Sequence, residues 1–420
     1  MGKKKKIFIG WIDICGQIGD LKEGYRKNGH TVFTMSNHKT VAGADNRFSW
    51  LVYPDWLLKA KNPLIVLLRK FYTLLIVPPM RFCFWLFAVF YFDVFHFMWV
   101  PEWYTPLLLS VLKKLNKKII VHFVGSDIRW VPTWLQEFEF RGLDHPDSDV
   151  RMEATIQSGI TLDEKLRYVR TFEKYADIIL SLPEQAQLQL RPYYNFYLPV
   201  QMQDIHYQPR QNPIPLVCIG TSGFKDKGSQ QLLDAFYKFY ENTPVPFELV
   251  VIKGMKHTEV MQLLMRCDIF IYTPYGSGTG KFGMEALAAG AVTLTGYDKA
   301  WHIYPEDCPV VHVQEKTLIQ QVLYYLQHPD ERKALSLQSR QYAQKHADIY
   351  TITKNILDKL DNTIDQYEYY PQYFRHHATF NTKWDAPNSI EVCNKWNRYV
   401  QDCDWYKKYV PKGERDGIIF

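Results

Sequence analysis

The chain has 420 residues, 47% hydrophobic and 22% charged, with a formal net charge of +6. That length exceeds one ordinary core and predicts two domains plus an extension, and the composition is globular rather than disordered or collagen-like. The modest positive charge suits anionic small molecules or an anionic membrane surface; with no DNA or RNA recognition motif beside it, nucleic acid is set aside as a partner.

Met1–Lys6 followed by Ile7–Ile14 has the outline of a signal peptide. The apolar part is short, holds Asp13 and lacks a small-residue cleavage site, so Lys5–Ile14 reads as a first β-strand. Gly2 fails as a myristoylation acceptor because Lys6 stands where Ser or Thr is needed. Leu21–Asn28 reads as a helix with Gly29 at its C-terminal cap, and Thr31–Met35 as the next strand.

Leu64–Val77 is apolar but broken by Arg69 and Lys70 and stopped by Pro78 and Pro79. Phe82–Phe92 is apolar but short against the roughly 20 residues of a membrane span, so no transmembrane helix is predicted. Two readings of this region stand side by side. One is a buried helix and strand of the first domain. The other is a surface dipping into a membrane, with Lys59, Lys61, Arg69, Lys70 and Arg81 facing lipid headgroups.

Asp93–Met98 and Lys118–Phe123 read as buried parallel strands around a helix at Thr105–Leu115. Residues 130–160 are polar and irregular and read as an insertion. Thr161 and Glu164 form a capping-box signature for a helix to Tyr175, and Ala176–Leu182 is another strand. Periodicity fades over Leu198–Pro215, where four prolines mark an interdomain linker. The second half restarts the pattern. Strands are predicted at Leu216–Gly220, Phe247–Ile252, Asp268–Thr273 and Val292–Thr295. Helices are predicted at Ser229–Tyr240, Thr258–Arg266, from Met284 to Ala289, Pro329–His346 and Tyr350–Thr363. Alternating strands and helices imply an α/β chain of two doubly wound domains. We place them at 1–200 and 201–363, with an aromatic-rich extension, 364–420, packing on them. A cleft between the carboxyl ends of their strands is the expected ligand site.

Three stretches carry chemistry. In the first, Tyr272 to Gly290, a buried strand ends, a glycine-rich loop follows and a helix begins. Glycines at 276, 278, 280 and 283 expose successive N–H groups, and the helix start adds its own, a cradle for phosphate. Thr279, Gly280, Lys281, Phe282 and Gly283 line this run, and Glu285, one turn in, can accept hydrogen bonds from ribose hydroxyls. It is not a triphosphate loop: Tyr275 occupies the first required glycine and Phe282 the Ser/Thr that would hold magnesium. The second stretch, Ile219–Ser229, supplies Ser222, Lys225, Lys227 and Gly228 after another strand. Two basic, glycine-bearing loops at one domain edge suit a pyrophosphate. The third, Val121–Arg129, ends a strand in His122, turns at Gly125 and Ser126, and presents Asp127 and Arg129. His122, Asp127 and Glu285 are the candidate catalytic residues.

At these stretches the chain resembles the family-4-like GT-B glycosyltransferases. The resemblance runs from about residue 5 to 360. It rests on Gly16–Gly19, Gly29-His30, Asp93–His96, the His-x-x-Gly-Ser-Asp-x-Arg pattern at 122–129, Ala176-Asp177, Lys227-Gly228, Cys267-Asp268 and the Glu285-to-Gly290 run. It implies a GT-B fold and sugar transfer from a nucleotide donor to a hydroxyl on a glycan or lipid-linked acceptor. It also implies retained anomeric configuration with no metal or other cofactor. By position, Lys227 and Ser222 would bind the donor diphosphate, Glu285 the ribose, and His122 the transferred sugar or acceptor. Gly16 and Gly19 would leave room for the donor. Two departures stand out: Ser277 occupies the place of the first of two glutamates eight residues apart, and the Arg expected before Lys-Gly is absent. Thr279, Gly280 and Lys281 are the substitutes for the lost sugar contact. The departures also keep open a non-catalytic nucleotide-sugar-binding scaffold, or another GT-B enzyme such as an epimerase.

Asp147-Ser-Asp149 and Asp402-Cys-Asp404 match the Asp-x-Asp pattern of metal-dependent transferases, but neither follows a buried strand, and no metal site is assigned. Seven cysteines, odd in number and never spaced Cys-x-x-Cys, indicate a reducing compartment. The protein is expected in the cytoplasm, at the inner face of the membrane if the second reading of 64–92 holds.

Overall fold

The structure is a computed structural model. It describes residues 3–36, 50–51, 53, 56–57, 61–99, 104–140, 145–196, 198–209, 212–220, 227–275, 278–296, 305–362, 367–369, 371, 388–410 and 412. The chain divides into two compact units. The first comprises Met1–Trp130, Thr161–Phe196 and Thr353–Phe420; the second, Val131–Ile160 and Tyr197–Ile352.

The first unit holds a seven-stranded sheet, all of it parallel. Its strands are β1 (Lys6–Trp11), β2 (Thr31–Ser36), β3 (Trp50–Leu51), β4 (Val94–Met98), β5 (Lys118–His122), β6 (Ile178–Ser181) and β7 (Tyr194–Asn195). Their order is β3-β2-β1-β4-β5-β6-β7. Ile7 of β1 sits opposite Val32 on one side and Val94 on the other. The second unit holds five parallel strands: β8 (Leu216–Gly220), β9 (Glu248–Ile252), β10 (Ile269–Ile271), β11 (Val292–Thr295) and β12 (Val311–His312). Their order is β12-β11-β10-β8-β9. Both orders reverse direction once, between β1 and β4 and between β8 and β10. Open α/β sheets bind ligands outside the carboxyl ends of the strands at such a switch point.

One sequence device sets the register three times. Asp93, Asp177 and Asp268 each stand just before a strand. Each turns a carboxylate oxygen onto a backbone N–H at the head of the neighbouring strand: Lys6 at 2.8 Å, Ile119 at 2.8 Å and Leu216 at 2.9 Å. A charge-assisted bond at that point satisfies a donor that the ladder leaves open.

The second unit's sheet is covered on both faces, which is why its strands read as continuous apolar runs. Leu216, Cys218 and Phe270 face one core with Met284 and Leu287, while Val217, Ile219, Ile269 and Ile271 face the other with Leu232 and Phe236. The first unit's core is aromatic: Phe8 lies 5.2 Å from Phe84 and 5.9 Å from Phe95, ring centre to ring centre.

Three expectations change. Residues 130–160 are not irregular: helices span Val131–Phe140 and Ser148–Ser158, the first packing Trp134 and Phe138 around His145 at 5.0 and 5.3 Å. The domain limits are not contiguous either. The chain after Thr353 belongs to the first unit, where Asn28 Nδ2 donates to Thr353 Oγ1 at 2.9 Å and Lys5 pairs with Asp361 at 2.8 Å. The tail follows it there. Tyr369 bridges to Tyr193, and helix Ser389–Arg398 brings Asn397 Oδ1 to the fully buried Arg170. Arg170 also donates to Glu173 and to the carbonyl of Leu188, so the tail completes a buried polar network.

The third change is in the apolar region. Arg69, Lys70 and the two prolines do not interrupt it: one helical run extends from Pro63 to Tyr91. Asn62 caps its start, accepting from the N–H of Leu64 at 2.9 Å. A proline removes a donor and crowds the carbonyl four residues back. Here the turn Tyr72–Ile76 before Pro78 and Pro79 widens into a π-helix, and the helix continues through them. The capping box at Thr161 and Glu164 forms as predicted.

Candidate functional site

Within the second unit, the two glycine-bearing stretches leave the carboxyl ends of β8 and β10, the adjacent strands at the switch point. Residues 221–226, with Ser222 and Lys225, lie outside the described residues, as do Gly276 and Ser277. The helix that follows β8 begins at Lys227 and so includes Gly228.

The helix that follows β10 begins earlier than expected, at Gly280 rather than Met284, and runs to Ala289. Gly280–Gly283 are therefore its first turn and not a loop. Gly280 has φ +56°, and a Cβ there would lie 3.0 Å from the Tyr272 hydroxyl, so both backbone and space ask for glycine. Gly283 N–H donates to the carbonyl of Thr279, and a Cβ on Gly283 would meet Thr279 Cβ at 3.0 Å. Thr279 sits at the cap without a side-chain hydrogen bond to the turn. Among the described residues, no side chain caps the positive end of this helix. Thr295 Oγ1 ties the loop down, donating to the carbonyls of Thr273 at 3.0 Å and Gly278 at 3.2 Å.

Glu285 is buried, and its Oε1 lies 3.0 Å from Nε2 of His257, whose side chain is half exposed. His257 opens the helix His257–Leu264 that follows β9. The sequence reading missed it: an isolated histidine after a strand carries no sign of a partner 28 residues away.

Lys281, which the sequence places in the glycine-rich run, does not reach out as a mobile charge. Its ammonium instead donates to the carbonyl of Pro199, which fixes it within the second unit. Phe282 turns its ring onto Phe270, centroids 4.7 Å apart, and fills the space beside Gly220.

In the first unit, Cys15 and Gly16 take φ of +55° and +76° and turn the chain into helix Gln17–Lys27, in which Gly19 is buried. Asp13 Oδ1 accepts from the N–H of Ile18 at 2.9 Å. A carboxylate of the chain itself thus occupies the start of this helix. His122 ends β5 but is fully buried, its ring 3.8 Å from Phe196 and 5.6 Å from His96. Burial holds its imidazole well below the usual histidine range, and His96 adds to that. His96, hydrogen-bonded to the Tyr25 hydroxyl at 3.0 Å, is pushed by burial to about 3. His122 thus sits among the buried residues at the end of β5. Asp127 is buried as well. It accepts from the N–H groups of Gly125 at 2.7 Å and Val124 at 3.2 Å, holding the turn after β5. Burial raises its carboxyl to about 6, against those hydrogen bonds and Lys165. Of the two Asp-x-Asp matches, Asp147 stands at the N-cap position of helix Ser148–Ser158 without a side-chain hydrogen bond to its first turn, and Asp402 pairs with Lys174 at 3.2 Å.

No protein-family model matches the chain, and no curated protein matches it by sequence. Solved structures do. Sucrose-phosphate synthase from Thermosynechococcus elongatus superposes with a TM-score of 0.51 at 11% identity, over 86% of this chain and 99% of that one. HepE from Anabaena, in complex with UDP-glucose, gives 0.46 at 11% identity, over 85% and 100%. MurG from Acinetobacter baumannii gives 0.39 at 12% identity, over 85% and 99%. At such identities the likeness concerns architecture: the chain has the GT-B fold, two parallel α/β sheets with surrounding helices.

Proposed function

We propose that this protein is a glycosyltransferase that moves a sugar from a nucleoside-diphosphate sugar to a hydroxyl acceptor. The observation that carries the reading is the switch point of the second unit. There β8 and β10 lie side by side, each followed at its carboxyl end by a glycine-bearing basic stretch and a helix start. A helix start lowers the energy of an anion through its unpaired N–H groups and dipole. Two of them, with Lys225 and Lys227, suit a diphosphate. Glu285 takes the ribose hydroxyls, and His257 holds its carboxylate in place.

In the reaction the bond from the anomeric carbon to the diphosphate oxygen breaks through an oxocarbenium-like state, and the acceptor oxygen bonds to that carbon as its hydroxyl proton passes to the departing diphosphate. The helix starts and lysines stabilise the charge gathering on the departing diphosphate, an effect aimed at the transition state. Retention of configuration, independence from metal, a glycan or lipid-linked acceptor, a role in polysaccharide assembly and a place at the cytosolic face of an anionic membrane belong to the same proposal.

The test is release of nucleoside diphosphate from a panel of sugar nucleotides, with and without acceptor extracts, for the parent, Lys227→Ala and Glu285→Ala. Both variants should lose turnover. Equal rates in all three would refute the site. Tight donor binding without turnover would point to a scaffold, and isomerised donor to an epimerase.

A further inference from the structure

The helical run Pro63–Tyr91 is 29 residues long, and its two halves are buried to different extents. Among Val77–Tyr91, the side chains of Val77, Phe84, Ala88 and Val89 are buried in the first unit's core. Phe84 packs on Phe8 at 5.2 Å and Phe33 at 5.9 Å. Among Pro63–Ile76 no residue is buried. Leu64 is 74% exposed and Leu74 72%, and Leu67, Leu68, Phe71, Leu75 and Ile76 are exposed with them. The outer face of the second half continues this surface through Phe82, Leu86, Phe87 and Phe90. An apolar patch of this extent on a soluble surface calls for a partner.

Charge selects the partner. Between Asn62 and Phe92 there is no Asp or Glu, while Arg69, Lys70 and Arg81 lie within the run and Lys61 just before it. An apolar helix with only cationic charge matches a bilayer interface with anionic headgroups. Geometry selects the mode. The second half is held against the sheet by its buried side chains and cannot leave to cross a bilayer. Pro63–Ile76, at 1.5 Å per residue, is about 21 Å long, short of the roughly 30 Å hydrocarbon core.

We propose that Pro63–Tyr91 is an in-plane anchor for an anionic lipid surface, with Pro63–Ile76 as its inserting half. The π-turn at Tyr72–Ile76 lets both halves form one continuous helix despite Pro78 and Pro79. The proposal deepens the membrane placement made above and rests on it, but not on glycosyl transfer.

The test is co-sedimentation of the full chain with vesicles of phosphatidylcholine and phosphatidylglycerol at low salt, without donor. The parent should bind, and binding should weaken as salt rises. Leu74→Glu with Leu75→Glu should weaken it at least about tenfold, since both side chains are exposed and the fold does not need them. Arg69→Gln with Lys70→Gln should lower binding to anionic vesicles and leave the weaker binding to pure phosphatidylcholine unchanged. No binding by the parent, or equal binding by the leucine variant, would overturn the proposal. So would a dimer that the leucine variant dissociates while vesicles stay unbound, because the surface would then serve a second copy. Resistance of bound protein to alkaline extraction would indicate spanning and would overturn the in-plane mode. Nucleoside diphosphate release in lipid-free buffer, measured on the same preparations, keeps failure of this anchor separate from failure of the transferase reading.

Discussion

Gly220 ends β8 directly beside the first turn of the Gly280–Ala289 helix, and Gly220→Ala tests how tightly that turn is set. An added Cβ would lie 2.4 Å from a ring carbon of Phe282 and 2.7 Å from two of Phe270. Ordinary carbon contacts are about 3.5–4.0 Å, so something must move by about 1 Å. Gly220 is paired with Ile252 in the ladder, and Phe270 is fully buried within the sheet. The part that gives is Phe282 and, with it, the helix start. Overpacking of this kind costs about 1–3 kcal/mol. At about 2–4 °C per kcal/mol for a unit of this size, the melting temperature should fall by about 2–12 °C. Scanning calorimetry reads the shift. Phe282→Leu removes the clashing ring edge, so the alanine should cost less in that background, a coupling that a double-mutant cycle measures. Donor affinity should fall along with stability if the helix start holds the diphosphate. A Gly220→Ala protein that melts with the parent would refute the packing argument, and a destabilised protein with unchanged donor affinity would separate this turn from the donor site.

Three further outcomes are expected. Glu285→Ala removes a buried carboxylate acceptor worth about 1.5–3 kcal/mol, so calorimetric donor affinity should fall about 10- to 150-fold, with a smaller loss for His257→Ala, which acts through Glu285. Asp127 titrates near 3.8 when unperturbed and near 6 when folded, so the folded state binds more protons between those values. Its contribution to stability therefore falls as pH rises from about 4 to about 6, by about 3 kcal/mol at most, and is flat above. Asp127→Asn should remove that slope in urea titrations compared with the parent across pH 4–7. Arg170→Met leaves Glu173 buried without its cation, at about 3–5 kcal/mol, and frees Asn397. Limited proteolysis should then cut helix Ser389–Arg398 faster than in the parent.

The α/β class and most element positions were legible from periodicity. Val292–Thr295 and Pro329–His346 fall where the pattern puts them, because apolar spacing and chain-breaking residues act over a few positions. Where the pattern misled, the cause was an influence from outside the segment or an unusual local geometry. The prolines at 78 and 79 signal a stop, but a widened turn absorbs them. The polar composition of 130–160 hides two helices, the first of which packs Trp134 and Phe138 on each other and on His145. In the site, the glycines at 280 and 283 announced a close turn, and the structure gives each a steric reason. The fates of Lys281 and Phe282 were not legible, since the carbonyl of Pro199 and the ring of Phe270 lie 82 and 12 positions away.

By itself the sequence determined that strands alternate with helices, and that glycine-rich, basic stretches follow two strands of the second half. Those features depend on backbone preferences and local spacing, which each segment carries with it. The tertiary structure decided that β8 and β10 are neighbours, so that both stretches leave one switch point. It also decided that His257 meets Glu285, and that His122 and Asp127 are buried rather than open. It left no residue of Pro63–Ile76 buried, while Val77, Phe84, Ala88 and Val89 were drawn into the core. Each outcome depends on which distant surfaces exclude water together, and a linear pattern of residues does not contain that information.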